Sequence, residues 1–330
     1  MKKTEIKTKG AIAITLIVSG TILLSGCGKT ESKSKVGMES KENIKIEQSE
    51  EKVSKEDSEK ILNDYYELLK KDTDPKELIK FVDENIVKLD KEDGDTVFFG
   101  LEEYLKATLP LLEEDYKKAN ESMDFQNAFD IDVEKENAKN IKDENLRKLV
   151  EDTFESGFLL YKDEGDIYPG LDYSFMKKYE DFVTEEMKNY IELKSIESAA
   201  PFSNGFAIDI KPEQILDRAL NSEKHLVKYN EGRTTKKVYE MYASYIEAAI
   251  MGTGNPLVYA ETEESSIRKE VLDVYKTFAE NNKDSRTSKV ISQYVETLNK
   301  NKNKLDAKEV KDFQEKIFEL LRDNFKDISF

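Results

Sequence analysis

Pro212 to Ile246 reads PEQILDRALNSEKHLVKYNEGRTTKKVYEMYASYI, and it holds two helical periods on either side of one turn. Ile215, Leu216, Ala219, Leu220 and Leu226 recur at the spacing that keeps side chains on one face of an α-helix. Val238, Met241, Tyr242, Tyr245 and Ile246 do the same after Asn230-Glu231-Gly232. Pro212 suits the first turn of a helix, where its missing N–H has no partner in any case. The stretch therefore predicts a helix-turn-helix hairpin whose apolar stripes must be buried against each other and against a neighbour.

The neighbour follows in the chain. A shift of 52 residues places Ile215 on Ile267, Leu220 on Leu272, Leu226 on Phe278, Val238 on Val290, Tyr242 on Tyr294 and Ile246 on Leu298. Self-similarity of this length is the mark of stacked helix pairs. Asp306-x-x-Glu309 and the stripe Val310, Phe313, Ile317, Leu320 and Leu321 predict one last helix closing the stack. Phe278-x-x-x-Asn282-Lys283-Asp284-Ser285 resembles the turn of tetratricopeptide-type repeats, although the Trp and Pro signposts and the 34-residue period of that family are missing. The longer stretch from about Tyr161 to Phe313, through DEGDIYPGLDYSFMKKY at 163–179, resembles a segment of uncharacterised envelope proteins of low-GC Gram-positive bacteria, a likeness that implies no activity.

Upstream, Ser54-x-x-Asp57 caps a stripe of Ile61, Leu62, Tyr65, Leu68 and Leu69. Asp74-Pro75 breaks it before Leu78, Phe81, Val82 and Leu89. Asp93-Gly94-Asp95 is expected to end that second helix and start a third, with Leu101, Tyr104, Leu105, Leu109, Leu112 and Tyr116 inward and a kink at Pro110. A fourth helix carries Leu146, Val150, Phe154, Phe158 and Tyr161, with Asp163-Glu164-Gly165 as its stop. Phe175, Tyr179 and Phe182, then Met187, Tyr190 and Ile191 behind a Thr184 cap, form an amphipathic pair. Ala199 to Ile210 (AAPFSNGFAIDI) is apolar and rich in turn formers, and Phe206 to Ile210 is the best candidate for a short strand.

Fourteen glycines, six prolines and no tryptophan in 330 residues argue against a many-turned β-sandwich and against a doubly wound α/β fold. The expected class is all-α, a helical bundle followed by stacked helix-turn-helix hairpins, with at most one short β-hairpin or strand pair. Sixteen Tyr and sixteen Phe, with abundant Leu, Ile and Val, supply the core.

The chain contains little that resembles catalytic machinery. HExxH, GxSxG and Walker-type GKS or GKT sequences are absent. His225, the only histidine, sits within the first hairpin and is expected at a helix surface or boundary rather than as a general base. One histidine and one cysteine exclude the common zinc sites. Asp90–Asp95 and Asp163–Asp166 have the composition of calcium loops, yet setting Gly94 or Gly165 at the sixth position puts Leu89 or Leu160 at the first, which excludes an EF-hand. We expect no metal and no cofactor. Candidate binding loops are Phe202, Asn204 and Phe206 with Asn255 and Tyr259, placed to line a cleft between the N-terminal helices and the repeats or to seal the core there.

The N-terminus supplies location. Lys2, Lys3, Lys7 and Lys9 precede an uncharged run from Gly10 to Leu24, the order of a signal peptide and too short for a permanent span of about 20 residues. Leu24-Ser25-Gly26-Cys27 resembles the lipobox of bacterial lipoproteins. The likeness implies a diacylglycerol on the Cys27 thiol and cleavage before it. Without residues 1–26, which hold four lysines and one glutamate, 48 basic and 68 acidic side chains leave a formal charge of -20. Such a surface repels nucleic acid.

The chain then divides into a signal peptide at 1–26, a Lys-, Glu- and Ser-rich disordered tether at 27–55, an N-terminal helical region at 56–162 and hairpin repeats at 163–330. The expected function is a binding or scaffolding module, anchored by palmitate-type chains on the outer face of the cytoplasmic membrane of the cell envelope, with a protein or peptide partner. Two other functions share the anchor: a carboxylate-dependent cell-wall hydrolase, which needs two acids converging in an apolar cleft, and the substrate-binding lipoprotein of a transporter.

Overall fold

The computed structural model of the chain describes residues 54–129, 134–203, 210–252, 260–261 and 265–329. Among these the class is all-α. Helices α1 (Lys55–Lys70), α2 (Pro75–Asn85) and α3 (Lys91–Ala119) start where short polar side chains satisfy free N–H groups. Ser54 accepts from the Asp57 N–H, Asp74 from Lys76 and Asp90 from Asp93. A 3-10 turn at Ile86–Lys88 closes the second helix.

Asp93-Gly94-Asp95 is not a helix boundary. It lies inside the first turns of α3, and its residue types serve tertiary contact instead. A Cβ on Gly94 would stand 2.0 Å from the Phe182 carbonyl oxygen, so glycine lets two backbones touch. The Asp95 carboxylate accepts from the Thr184 N–H at 2.8 Å and its Oγ1 at 2.7 Å, capping a distant helix. Helix α3 continues past Pro110 to Ala119.

After the short α4 (Met123–Ala128) comes α5 (Glu144–Glu155), which ends earlier than its stripe predicts. Gly157 at φ 78° turns the chain, and Phe158 and Tyr161 belong to strand β1 (Phe158–Asp163), paired antiparallel with β2 (Asp166–Leu171). Glu164 and Gly165, both with positive φ, form the two-residue turn that matches strand twist. Phe158, Leu160, Ile167 and Leu171 face inward. Tyr161 lies over Gly170, where a Cβ would come within 2.4 Å of its ring, and donates to the Ser198 carbonyl at 2.7 Å.

The chain then forms α6 (Tyr173–Met176), a 3-10 segment at Lys177–Phe182 and α7 (Glu185–Ala199), capped by Thr184 as expected. The hairpins follow as α8 (Pro212–Lys228) with α9 (Thr235–Met251), and α10 (Lys269–Asn281) with α11 (Arg286–Lys300). Of the residues matched by the 52-residue shift, Leu220 is half-buried and the others are buried. Ile267 matches Ile215 in burial but lies in a strand, because β3 (Ala260–Glu261) and β4 (Ser266–Ile267) pair before α10 begins. This second two-residue ladder adds to the single strand pair expected. The closing helix is also divided, at Lys316, into α12 (Lys308–Glu315) and α13 (Ile317–Asn324). Phe325 then packs edge-on against Tyr239 and Tyr242.

One continuous core runs from Tyr65 to Ile328, and a smaller cluster of Tyr116, Phe125, Phe129, Val150, Leu160 and Ile167 sits under the β-hairpin. Among the described residues no helix is long and apolar enough to cross a membrane.

The arrangement at Asp95 occurs twice more. Glu186 of α7 accepts from the Thr234 N–H at 2.7 Å and Oγ1 at 2.6 Å at the start of α9. Glu223 of α8 accepts from the N–H groups of Arg286 and Thr287 and from Thr287 Oγ1, all at 2.7 Å, at the start of α11. Each places an upstream carboxylate on the positive end of a downstream helix, where free N–H groups and the helix dipole both favour an anion.

Candidate functional site

A charged seam lies where α3, α7, α8 and α9 meet. On α3, Glu102, Glu103 and Lys106 share one face; on α7, Tyr190, Lys194 and Glu197 are spaced three or four residues apart and therefore line up. Tyr173, Arg218, Lys237 and Tyr245 come in from α6, α8 and α9.

Glu102 is completely buried, and all of its bonds are to side chains. Its Oε1 accepts from the Tyr173 and Tyr190 hydroxyls, each at 2.5 Å, and lies 3.0 Å from Lys106 Nζ. Its Oε2 lies 3.0 Å from Lys237 Nζ, which also reaches Glu103 at 2.5 Å. Burial pushes the Glu102 carboxyl up, but the Lys106 and Lys237 charges and the two hydroxyls outweigh it and hold the group at about 2. Burial works against the charge on Lys237 as well, yet Glu102 and Glu103 keep it above the ordinary lysine range.

The second centre is Glu197. Its Oε2 accepts from Arg218 at 2.6 Å and from the Tyr245 hydroxyl at 2.7 Å, and its Oε1 accepts from the Phe202 N–H at 2.9 Å. The Phe202 ring packs edge-on against Tyr245 with centroids 5.2 Å apart. Phe202 is thus half-buried at the end of the seam, packed on α9. Its companions Asn204, Phe206, Asn255 and Tyr259 lie outside the described residues, as do the lipobox residues Leu24, Ser25, Gly26 and Cys27 and most of the strand expected at Phe206–Ile210.

Lys194 stands between the two centres. Its Nζ is 4.9 Å from the Tyr173 ring centroid, and it has no carboxylate partner among the described residues. Burial holds its ammonium below the usual lysine range; Glu102 and Glu197 draw it back up while Lys106 and Lys237 oppose them. The seam carries four cations (Lys106, Lys194, Lys237, Arg218) and three carboxylates (Glu102, Glu103, Glu197), a local surplus of one positive charge in a strongly acidic chain.

His225 is buried, not at a helix surface or boundary. Its Nε2 is 2.7 Å from Thr234 Oγ1 and its Nδ1 2.7 Å from the Asn189 side chain. Thr234 Oγ1 gives its proton to Glu186 and so accepts from Nε2, while Nδ1 faces the Asn189 Oδ1. Burial, helped by Lys228, lowers the imidazole to about 4. The ring is a structural post with both nitrogens occupied.

Asp163, Glu164 and Asp166 at the hairpin tip line a shallow recess of about 340 Å³ with Glu113, Lys117 and Tyr168. Among the described residues no three His, Cys, Asp or Glu side chains are placed to hold a metal ion. Sequence reasoning passed over Glu102, Lys106, Lys194, Glu197, Arg218 and Lys237. One local signal was present: Glu102 interrupts the inward stripe between Leu101 and Leu105, where a charge needs a partner. Compared with protein families, curated proteins and solved structures, the chain finds no match.

Proposed function

We propose that the chain is a binding or scaffolding module, held by a diacylglycerol on Cys27 at the outer face of the cytoplasmic membrane and engaging a protein or peptide partner there. The observation that carries the reading is the use to which the acids are put. Asp95 and Glu223 cap helices, and Glu102 is saturated by two tyrosines and two lysines, so each of these buried carboxylates works as a structural anion. A hydrolase needs instead a pair of acids facing a cleft, one of them kept protonated at working pH. Stacked hairpins offer an extended surface suited to a chain-like partner. The anchor rests on Leu24-Ser25-Gly26-Cys27.

Two experiments test the reading. Palmitate incorporation should vanish in Cys27→Ser. The mature chain, used as bait on solubilised envelope, should retain a protein that a Phe202→Ala, Lys194→Glu double variant of unchanged fold does not; retention of nothing by the intact bait at low salt turns attention to small ligands.

A further inference from the structure

Lys194 is the one cation of the seam that is not neutralised. Arg218 is matched by Glu197, and Lys106 and Lys237 share Glu102 and Glu103. An ammonium without a protein partner, drawn partly out of water and laid on a tyrosine face, keeps only part of the hydration that such a group has in solution. Lys194 is half-buried and keeps part of its surface in solvent, and the seam around it carries one positive charge over.

We infer that Lys194 is the charged contact of a subsite for a single carboxylate of the partner, supplied by an acidic side chain or by a chain terminus. This rests on the binding-module reading and names the chemistry of its contact. The charge count selects the ligand class. One carboxylate brings the seam to neutrality, whereas a phosphate dianion would overshoot it close to Glu102 and Glu197. Seating the carboxylate needs no rearrangement of Glu102, whose four donors are already in place. Phe202 and Tyr245, at the Glu197 end, offer apolar surface beside that charge.

The test uses the intact mature protein and trace acylation of its lysines, read by mass spectrometry. Four probes are compared: an acetylated tripeptide with a free terminus, an amidated tripeptide bearing Glu, the same peptide bearing Gln, and inorganic phosphate. A carboxylate beside Lys194 favours the charged form, and a rise of about one pKa unit leaves about ten-fold less free amine to react. The expected result is protection of Lys194 of that order by one or both carboxylate probes, none by the Gln peptide, and no change at exposed Lys55 or Lys60. The free-terminus and Glu arms distinguish the two sources. Lys194→Gln should abolish the shifts that the effective probe causes in tyrosine ring resonances.

Protection by phosphate alone, equal protection by the Gln peptide, or no protection at probe concentrations of about 10 mM would each overturn the subsite. Envelope capture separates that failure from a wider one. A partner retained equally well by Lys194→Gln removes the subsite and leaves the binding module standing, while loss of all capture with Lys194 still protected removes the protein-partner reading alone.

Discussion

Replacing Glu223 by Ala tests whether buried carboxylates join the hairpins. Glu223 is 6 % exposed and receives three short bonds at the first turn of α11. Hydrogen bonds to a charged acceptor bring about 1.5 kcal/mol each at the low end of their range, or roughly 4.5 kcal/mol for three. The helix dipole adds under about 1 kcal/mol, and water reaching half-buried Arg286 in the variant returns about as much. The expected loss is therefore about 4–5 kcal/mol, measured as the change in unfolding free energy from urea titration with the slope held constant.

Two comparisons make the magnitude specific. Thr287→Val removes the Oγ1 bond to Glu223 and a long 3.5 Å contact with the Tyr242 hydroxyl, and should cost about 1 kcal/mol. Ser54→Ala, at an exposed cap whose N–H can turn to water, should cost no more than that. Amide exchange at Arg286 and Thr287 should accelerate in Glu223→Ala far more than at Val238 in the neighbouring hairpin. A Glu223→Ala protein within about 1 kcal/mol of the parent refutes the argument, because the bonds would then be no better than those water supplies.

The other predictions follow from burial and charge. Glu102 titrates near 2 in the fold against an ordinary 4.5, so its contribution of about 3 kcal/mol is complete above about pH 4.5 and lost as pH falls toward 2; Glu102→Gln should flatten that part of the stability profile, and an unchanged acid limb refutes it. His225, the only histidine, should give a single imidazole resonance titrating near pH 4, and stability should fall as pH drops from 6.5 to 4 because the unfolded chain binds the proton first; a midpoint above 6 in the native protein contradicts the buried, neutral ring. Gly94→Ala puts a methyl 2.0 Å from the Phe182 carbonyl oxygen and should lower the unfolding free energy by about 2–3 kcal/mol, whereas a neutral effect in thermal or urea unfolding would mean the helices separate freely.

The hairpins were legible because a helix buries one stripe, and a stripe is a local pattern. Val238, Tyr242 and Ile246 are spaced for one face, and all three are buried. The same locality misled the reading at β1. Phe154, Phe158 and Tyr161 satisfy helical spacing, and only Gly157 marks that the last two belong to a strand. Asp93-Gly94-Asp95 shows the converse, since turn-forming residues can also provide close approach and a cap for another helix. The division at Lys316 has neither glycine nor proline to announce it. The seam was illegible for a different reason: Glu102 meets Tyr173, Tyr190 and Lys237 at separations of 71, 88 and 135 residues, and no pattern in a single sequence pairs groups so far apart.

A chain with 69 acids has to place some of them where helices pack, and an unpaired buried carboxylate costs more than a hydrogen bond returns. Asp95, Glu186 and Glu223 answer this in the same way, each against a threonine near the start of a helix, where an N–H and a hydroxyl point at one carboxylate. Glu102 sits too deep in the α3 face to reach a helix end, and lysines and tyrosines gather round it instead. That solution differs in one respect with functional weight. A helix terminus supplies only a fixed partial charge, whereas lysine and arginine come in whole units, and here the cations exceed the carboxylates by one. The positive remainder at Lys194 follows from how the core was balanced, and on a strongly acidic protein it gives a partner's carboxylate attraction instead of repulsion.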